Sequence, residues 1–170
     1  MKPKIRTRVV IAAVVAVTAA GTFTAGVAVA RAGDDQGRRD KVAEPEIAGL
    51  FDQWNAALQT GDPAKVADRY AADAVLLPTA SPKIRTNRAE IIDYFEHFLQ
   101  KKPRGEKVRS VVNILDSDSA VDAGVYRFHL TDPATGATKA VEARYTYEYE
   151  KRGGKWLIVN HHSSVLPAEG

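Results

Sequence analysis

Gly153–Pro167 reads GGKWLIVNHHSSVLP. Gly153-Gly154 marks a turn, Trp156, Leu157, Ile158 and Val159 an apolar strand, and Asn160, His161, His162, Ser163 and Ser164 its polar continuation. A strand that is apolar in one half and rich in His and Ser in the other is expected to run from a core to a pocket or an interface. Upstream the hydrophobic period is also two. Lys107–Leu115, Ala120–Thr131 and Ala140–Lys151 read as long strands joined by turns at Asp116–Ser119, Asp132–Thr138 and Arg152–Gly154.

The segment before these strands is helical in period. Ile47, Leu50, Phe51, Trp54 and Leu58 recur at spacings of three and four behind Pro45, one apolar stripe of a first helix. Thr60-Gly61-Asp62-Pro63 stops it and starts a short second helix over Ala64–Ala71, with Asp62 as N-cap. Ala74–Pro78 reads as a brief strand. Asn87 followed by Glu90 opens a third helix running to about Lys101, with Ile91, Ile92, Phe95, Phe98 and Leu99 inward. Helices first and an antiparallel meander afterwards predict an α+β fold.

Strict alternation sorts the faces. Tyr145, Tyr147 and Tyr149 share one face of their strand, with Arg144, Thr146, Glu148 and Glu150 on the other. In the last strand Trp156, Asn160 and His162 share a face opposite His161 and Ser163, and Leu157 and Val159 make the second face apolar too. Val108, Val112 and Ile114 likewise oppose Val111 and Leu115. One face of the sheet is covered by the helices. The other needs a second copy, which predicts a homodimer through the sheet.

The N-terminus has a separate character. Lys2, Lys4, Arg6 and Arg8 precede an uncharged, Ala/Val-rich run of 22 residues, Val9–Ala30, and Ala28-Val29-Ala30 suits a cleavage site. Residues 1–30 are read as a signal peptide or an N-terminal membrane anchor, 31–44 as a flexible linker and 45–167 as the domain. The protein is therefore expected to be exported, either secreted or anchored on the extracytoplasmic side, with membrane contact only through the N-terminal segment. Removing the four basic residues of 1–30 takes the formal charge from +3 to −1, and no basic stripe for nucleic acid remains. The chain has no cysteine, so disulfides and thiolate chemistry are excluded. No nucleotide loop, Rossmann fingerprint or phosphate cradle is present, so neither cofactor nor metal is expected.

The helix order, Thr60-Gly61-Asp62, Gly154-Lys155-Trp156, His162, Ser164 and Pro167 together resemble the association domain of calcium/calmodulin-dependent protein kinase II, within the nuclear-transport-factor-like cone-fold superfamily. Ile84-Arg85, Gly124-Val125-Tyr126, Ala143-Arg144-Tyr145-Thr146 and His161-His162-Ser163-Ser164 are also similar to secreted bacterial SnoaL-like (SgcJ/EcaC-type) proteins. The resemblance covers Glu46 to Pro167. It implies three helices packed on a strongly curved sheet, a cone-shaped cavity, and assembly into a homodimer or larger ring. In the kinase hubs arginines in the cavity bind small acids. At two of the matching positions this chain has Tyr147 and Tyr126 instead, with Arg144 as a substitute only if a bulge turns it inward. No calmodulin partner is expected.

The resemblance also places His162 in the cavity, and with it Asn160. A wall histidine can donate, accept or shuttle a proton; otherwise it bonds backbone or a neighbouring subunit. Tyr126, Tyr147, Trp54, Tyr70 and Arg144 complete the expected ligand-binding set, with cross-strand aromatic packing the other reading for the tyrosines and plain core for Trp54. His161 and Ser163 are expected on the interface face. His162 and Asp122 are the two candidates for acid–base work, neither part of a complete constellation, and the more ordinary reading of Asp122 is a paired or exposed carboxylate. Arg85 is expected exposed at the head of the third helix. Three functions are compatible with this pattern: binding of a small organic molecule, cavity catalysis of an isomerase, cyclase or hydrolase type with His162 as acid or base, and ligand-free oligomerisation.

Overall fold

The structure, a computed structural model, describes residues 42–168. The expected signal or anchor, and the linker up to residue 41, lie outside the described residues. Helix α1 (Glu44–Gln59) buries Ile47, Leu50, Phe51, Trp54 and Leu58, the whole predicted stripe, and carries Pro45 in its first turn. Gly61 takes φ 71° after it, a conformation that favours glycine. The Asp62 carboxylate then accepts from the amides of Ala64 and Lys65 and caps α2 (Pro63–Ala67). The second helix stops at Ala67, short of the predicted Ala71, because Tyr70 already belongs to strand β1 (Tyr70–Leu77). Asn87 caps α3 (Arg88–Phe98) by accepting from Glu90 N. The Glu90 carboxylate reaches back to the Thr86 amide.

A 3₁₀ turn (Leu99–Lys101) and left-handed Lys102 lead into β2 (Arg104–Ile114), β3 (Ser119–Thr131), β4 (Thr138–Arg152) and β5 (Lys155–Val165). The sheet order is β1-β5-β4-β3-β2. All neighbours are antiparallel except β1 and β5, which run parallel. The α+β class and curved, mostly antiparallel sheet are as expected. The core lies between the inner face of the sheet and the helices, and it is rich in aromatic rings. Phe51 and Trp54 from α1 and Phe95 from α3 meet Tyr126, Phe128, Tyr145, Tyr147 and Tyr149 from the strands.

Besides an irregularity in β1 between Tyr70 and Val75, two bulges break the alternation. On β2, Lys107 pairs with Tyr126 and Arg109 with Val125, so Val108 is an extra residue. Ser110, Val112 and Ile114 then share the inner side, while Val108 is exposed. The bulge lets β2 close on β3 at Gly124, where a Cβ would lie 1.9 Å from the Arg109 carbonyl oxygen. The second bulge is on β5. Glu148 pairs with Asn160 and Tyr149 with Ile158, leaving Val159 as the surplus residue. This bulge determines which side chains reach the interior.

Candidate functional site

Along β5, Trp156 and Ile158 are buried on the inner face. The Val159 bulge then shifts the parity by one, so His161 and Ser163 turn inward. His162 and Asn160, expected at the cavity wall, are exposed on the outer face opposite Thr146 and Glu148. Arg144 is exposed on the same face, paired with Ser164. The resemblance put His162 at the cavity wall, and regular alternation from Trp156 grouped Asn160 with it; the bulge turns both outward. Conversely, His161 and Ser163, assigned to the interface side, are the interior residues that sequence reasoning missed.

They border a cavity of about 80 Å³, room for several waters or a small molecule of similar size. Its wall is drawn from every long element except β2: Trp54 of α1, Phe95 and Phe98 of α3, Leu76 of β1, Tyr126 and Phe128 of β3, Ala143 of β4, His161 and Ser163 of β5. Exposed Thr79 and Ala80, just after β1, stand at its mouth. No Asp, Glu, Lys or Arg lies on the wall. Of the predicted residues, Trp54 and Tyr126 line the cavity. Tyr70 and Tyr147 lie behind His161, with Tyr147 stacked on its ring at 4.1 Å between centroids.

Two polar rows enter this apolar wall. In one, Trp54 Nε1–H donates to the Tyr70 hydroxyl at 3.0 Å, and Tyr70 lies 2.9 Å from His161 Nδ1. In the other, the hydroxyls of Tyr126, Ser163 and Thr79 are linked in sequence toward the mouth. Burial holds His161 far below the ordinary imidazole range, at about 3, with a smaller push in the same direction from neighbouring His162. Burial also raises Tyr70, Tyr126 and Tyr147, so the phenols stay protonated. At neutral pH the site is an uncharged, aromatic chamber.

Asp122 is buried, but away from the cavity. Its Oδ1 accepts from Ser110 Oγ at 2.6 Å and from the Tyr145 hydroxyl at 3.2 Å, and burial raises its pKa. It cannot serve as a base to a ligand held against His161. Arg85, expected exposed, is buried. Its guanidinium donates to the carbonyls of Glu90 and Lys83 and pairs with Asp93 at 3.4 Å, which ties the β1–α3 loop to the helix. Among the described residues no cluster of His, Asp or Glu side chains could hold a metal ion.

The family model of the calcium/calmodulin dependent protein kinase II association domain matches residues 43–167. The chain belongs to this association-domain family. A solved association-domain structure from Xanthomonas campestris is 58% identical, with a TM-score of 0.73 over 76% of this chain and 91% of that one. An NTF2-like protein from Pseudomonas putida, 21% identical over 71% of this chain and 84% of that one, has a TM-score of 0.60. One from Novosphingobium aromaticivorans, 14% identical over 79% of this chain and 86% of that one, has a TM-score of 0.61. These last two show the shared cone fold. No curated protein matches the sequence. In this association domain the two positions where the resemblance led to arginines hold Tyr126, on the wall, and Tyr147, behind His161.

Proposed function

We propose that this association-domain protein is exported, dimerises through the outer face of its sheet, and binds a small organic molecule in its cavity. The observation that carries the binding reading is His161: a buried imidazole on an apolar wall whose Nε2 has no partner. A packed core rarely leaves such an atom orphaned, whereas a mostly apolar cavity with a few convergent polar groups is the usual form of a ligand site. The lack of any carboxylate or cation on the wall supports binding over acid–base catalysis.

The outer face supports self-association. Val111, Ala123, Thr146 and His162 form one cross-strand row, flanked by Asn113, Val121, Glu148 and Asn160 on one side. Val111 is 47% exposed and Leu115 60%. An uncharged row across four strands suits a two-fold partner, with His162 and Asn160 as interface groups. Export rests on the basic N-terminus and the uncharged run after it.

Native mass spectrometry of the protein purified from its host tests all three parts. The expected species is a dimer of chains lacking the N-terminal segment, or retaining it in detergent, with a reproducible small-molecule adduct. A monomer overturns the sheet interface. A bare oligomer that takes up no small molecule overturns the binding reading.

A further inference from the structure

We infer that the cavity selects an uncharged molecule carrying an acceptor oxygen of the ketone, aldehyde or ester class, held by the His161 Nε2–H, and that it excludes carboxylates. The inference deepens the binding reading and rests on it.

The tautomer of His161 follows from counting hydrogens. Trp54 Nε1 can only donate, so the Tyr70 oxygen accepts its hydrogen. The Tyr70 hydrogen then needs an acceptor, and His161 Nδ1 at 2.9 Å is the one within reach. With Nδ1 unprotonated, a neutral ring carries its hydrogen on Nε2, and that N–H is the single unmet group of the row. The opposite tautomer strands two groups, the Tyr70 hydroxyl hydrogen and the Nε2 lone pair. The rings packed on His161, those of Trp54, Tyr70 and Tyr147, supply no carboxylate to stabilise a charged imidazolium. Trp54 and Tyr70 are thus positioning residues that turn a histidine into a fixed neutral donor.

The remaining wall groups do not compete for that role. Three hydroxyls in a row share two hydrogen bonds, and the spare hydrogen goes to solvent when Tyr126 donates to Ser163 and Ser163 to Thr79, the exposed member. Among the residues that line the cavity, the one with a buried polar atom left without a partner is His161, at Nε2. One donor in an apolar chamber calls for one acceptor on an apolar body. An anion would be buried there without a cation: the nearby buried guanidinium of Arg85 is already engaged by two carbonyls and Asp93.

The test uses the exported protein with three probes of similar size: cyclopentanone, cyclopentane and cyclobutanecarboxylate. Nitrogen-15 NMR of the unliganded protein is expected to show His161 neutral, protonated at Nε2 and not at Nδ1. Cyclopentanone is expected to bind about five- to tenfold more tightly than cyclopentane, the worth of one net hydrogen bond, and to shift the Nε2–H resonance. The carboxylate is expected not to bind. In H161F the advantage of the ketone over the hydrocarbon is expected to vanish while both still bind. An Nδ1–H tautomer, equal binding of ketone and hydrocarbon, or preferred binding of the carboxylate each overturns this inference and leaves the binding reading standing. Failure of all three probes to bind overturns both.

Discussion

Tyr70 and His161, 91 positions apart in the chain, are joined by a 2.9 Å hydrogen bond inside the core. Neither position is polar by accident. Tyr70 opens β1 and His161 lies near the end of β5, and the parallel pairing of these strands brings the two side chains together. Trp54 then reaches Tyr70 from α1, so one hydrogen-bonded row ties the first helix to both strands.

Replacing Tyr70 by Phe keeps the ring and removes the middle of that row. Trp54 Nε1–H and His161 Nδ1 both lose their partner in a dry core. Each orphan costs about 1–3 kcal/mol, so Y70F is expected to lose about 2–6 kcal/mol in urea denaturation with an unchanged slope. Y149F is the control, because the Tyr149 hydroxyl is buried and has no partner to lose. Equal losses in the two variants remove the row from the account of stability.

His161 makes stability fall in acid. Its folded pKa is about 3, far below the ordinary value of about 6.5 in an unfolded chain. Between these two values the unfolded state binds a proton that the folded state refuses, so stability drops as pH falls through that window. The slope from this one group approaches about 1.4 kcal/mol per pH unit. Denaturation at pH 7, 5.5 and 4.5 is expected to be steeper for the wild type than for H161Q by that amount. Parallel curves exclude a neutral, buried His161.

Most of the fold was legible because its signals are local. The α1 stripe, the Asp62 and Asn87 caps and the alternation through Tyr145, Tyr147 and Tyr149 depend on residues within a few positions of one another. The site was less legible because it hangs on the Val159 bulge, which comes from how β5 fits between β1 and β4. One surplus residue exchanged His162 for His161 and Asn160 for Ser163. Val159 itself is an ordinary strand residue, so nothing local announced the change. Tyr70 was misread as helical for a related reason: the Ala-rich stretch around it suits a helix, but pairing with β5 prevails, and Ile158 N donates to the Arg69 carbonyl where the strand begins.

Gly124 marks the closest approach of β3 to the bulged β2. A Cβ there would lie 1.9 Å from the Arg109 oxygen and 2.8 Å from its carbonyl carbon, both backbone atoms that cannot rotate away. At Gly105 the nearest atoms are side-chain tips of Phe51, Asn55 and Phe128 at 3.0–3.2 Å. G124A is expected to cost about 3 kcal/mol or more, or to prevent folding, and G105A about 1 kcal/mol. Thermal melts rank them, and the reverse order refutes the bulge geometry.

The outer row that begins at Val111 on edge strand β2 carries the proposed dimer. An aspartate at Val111 puts a charge at the β2 end of that row, next to Ala123 and two strands from Thr146. Sedimentation equilibrium is expected to show V111D as a monomer, with its circular dichroism unchanged because the side chain is 47% exposed within one subunit. A V111D dimer places the contact elsewhere.

Asp122 is expected to respond to pH in the opposite sense to His161. Burial raises its folded pKa, so its favourable contribution is complete below the unfolded carboxylate value of about 3.9 and is lost as pH rises through the folded value. At pH 7 the fold carries a buried carboxylate whose Oδ2 has no partner. Asparagine keeps the Oδ1 acceptor for Ser110 and Tyr145 and removes the charge. D122N is therefore expected to match or exceed wild-type stability at pH 7, with the difference shrinking toward zero near pH 3.5. Lys107 is the one described cation whose field favours the charged form. If D122N is instead destabilised at pH 7, the hydrogen bonds of Ser110 and Tyr145 to the charged form, with a smaller attraction from Lys107, outweigh the cost of burial.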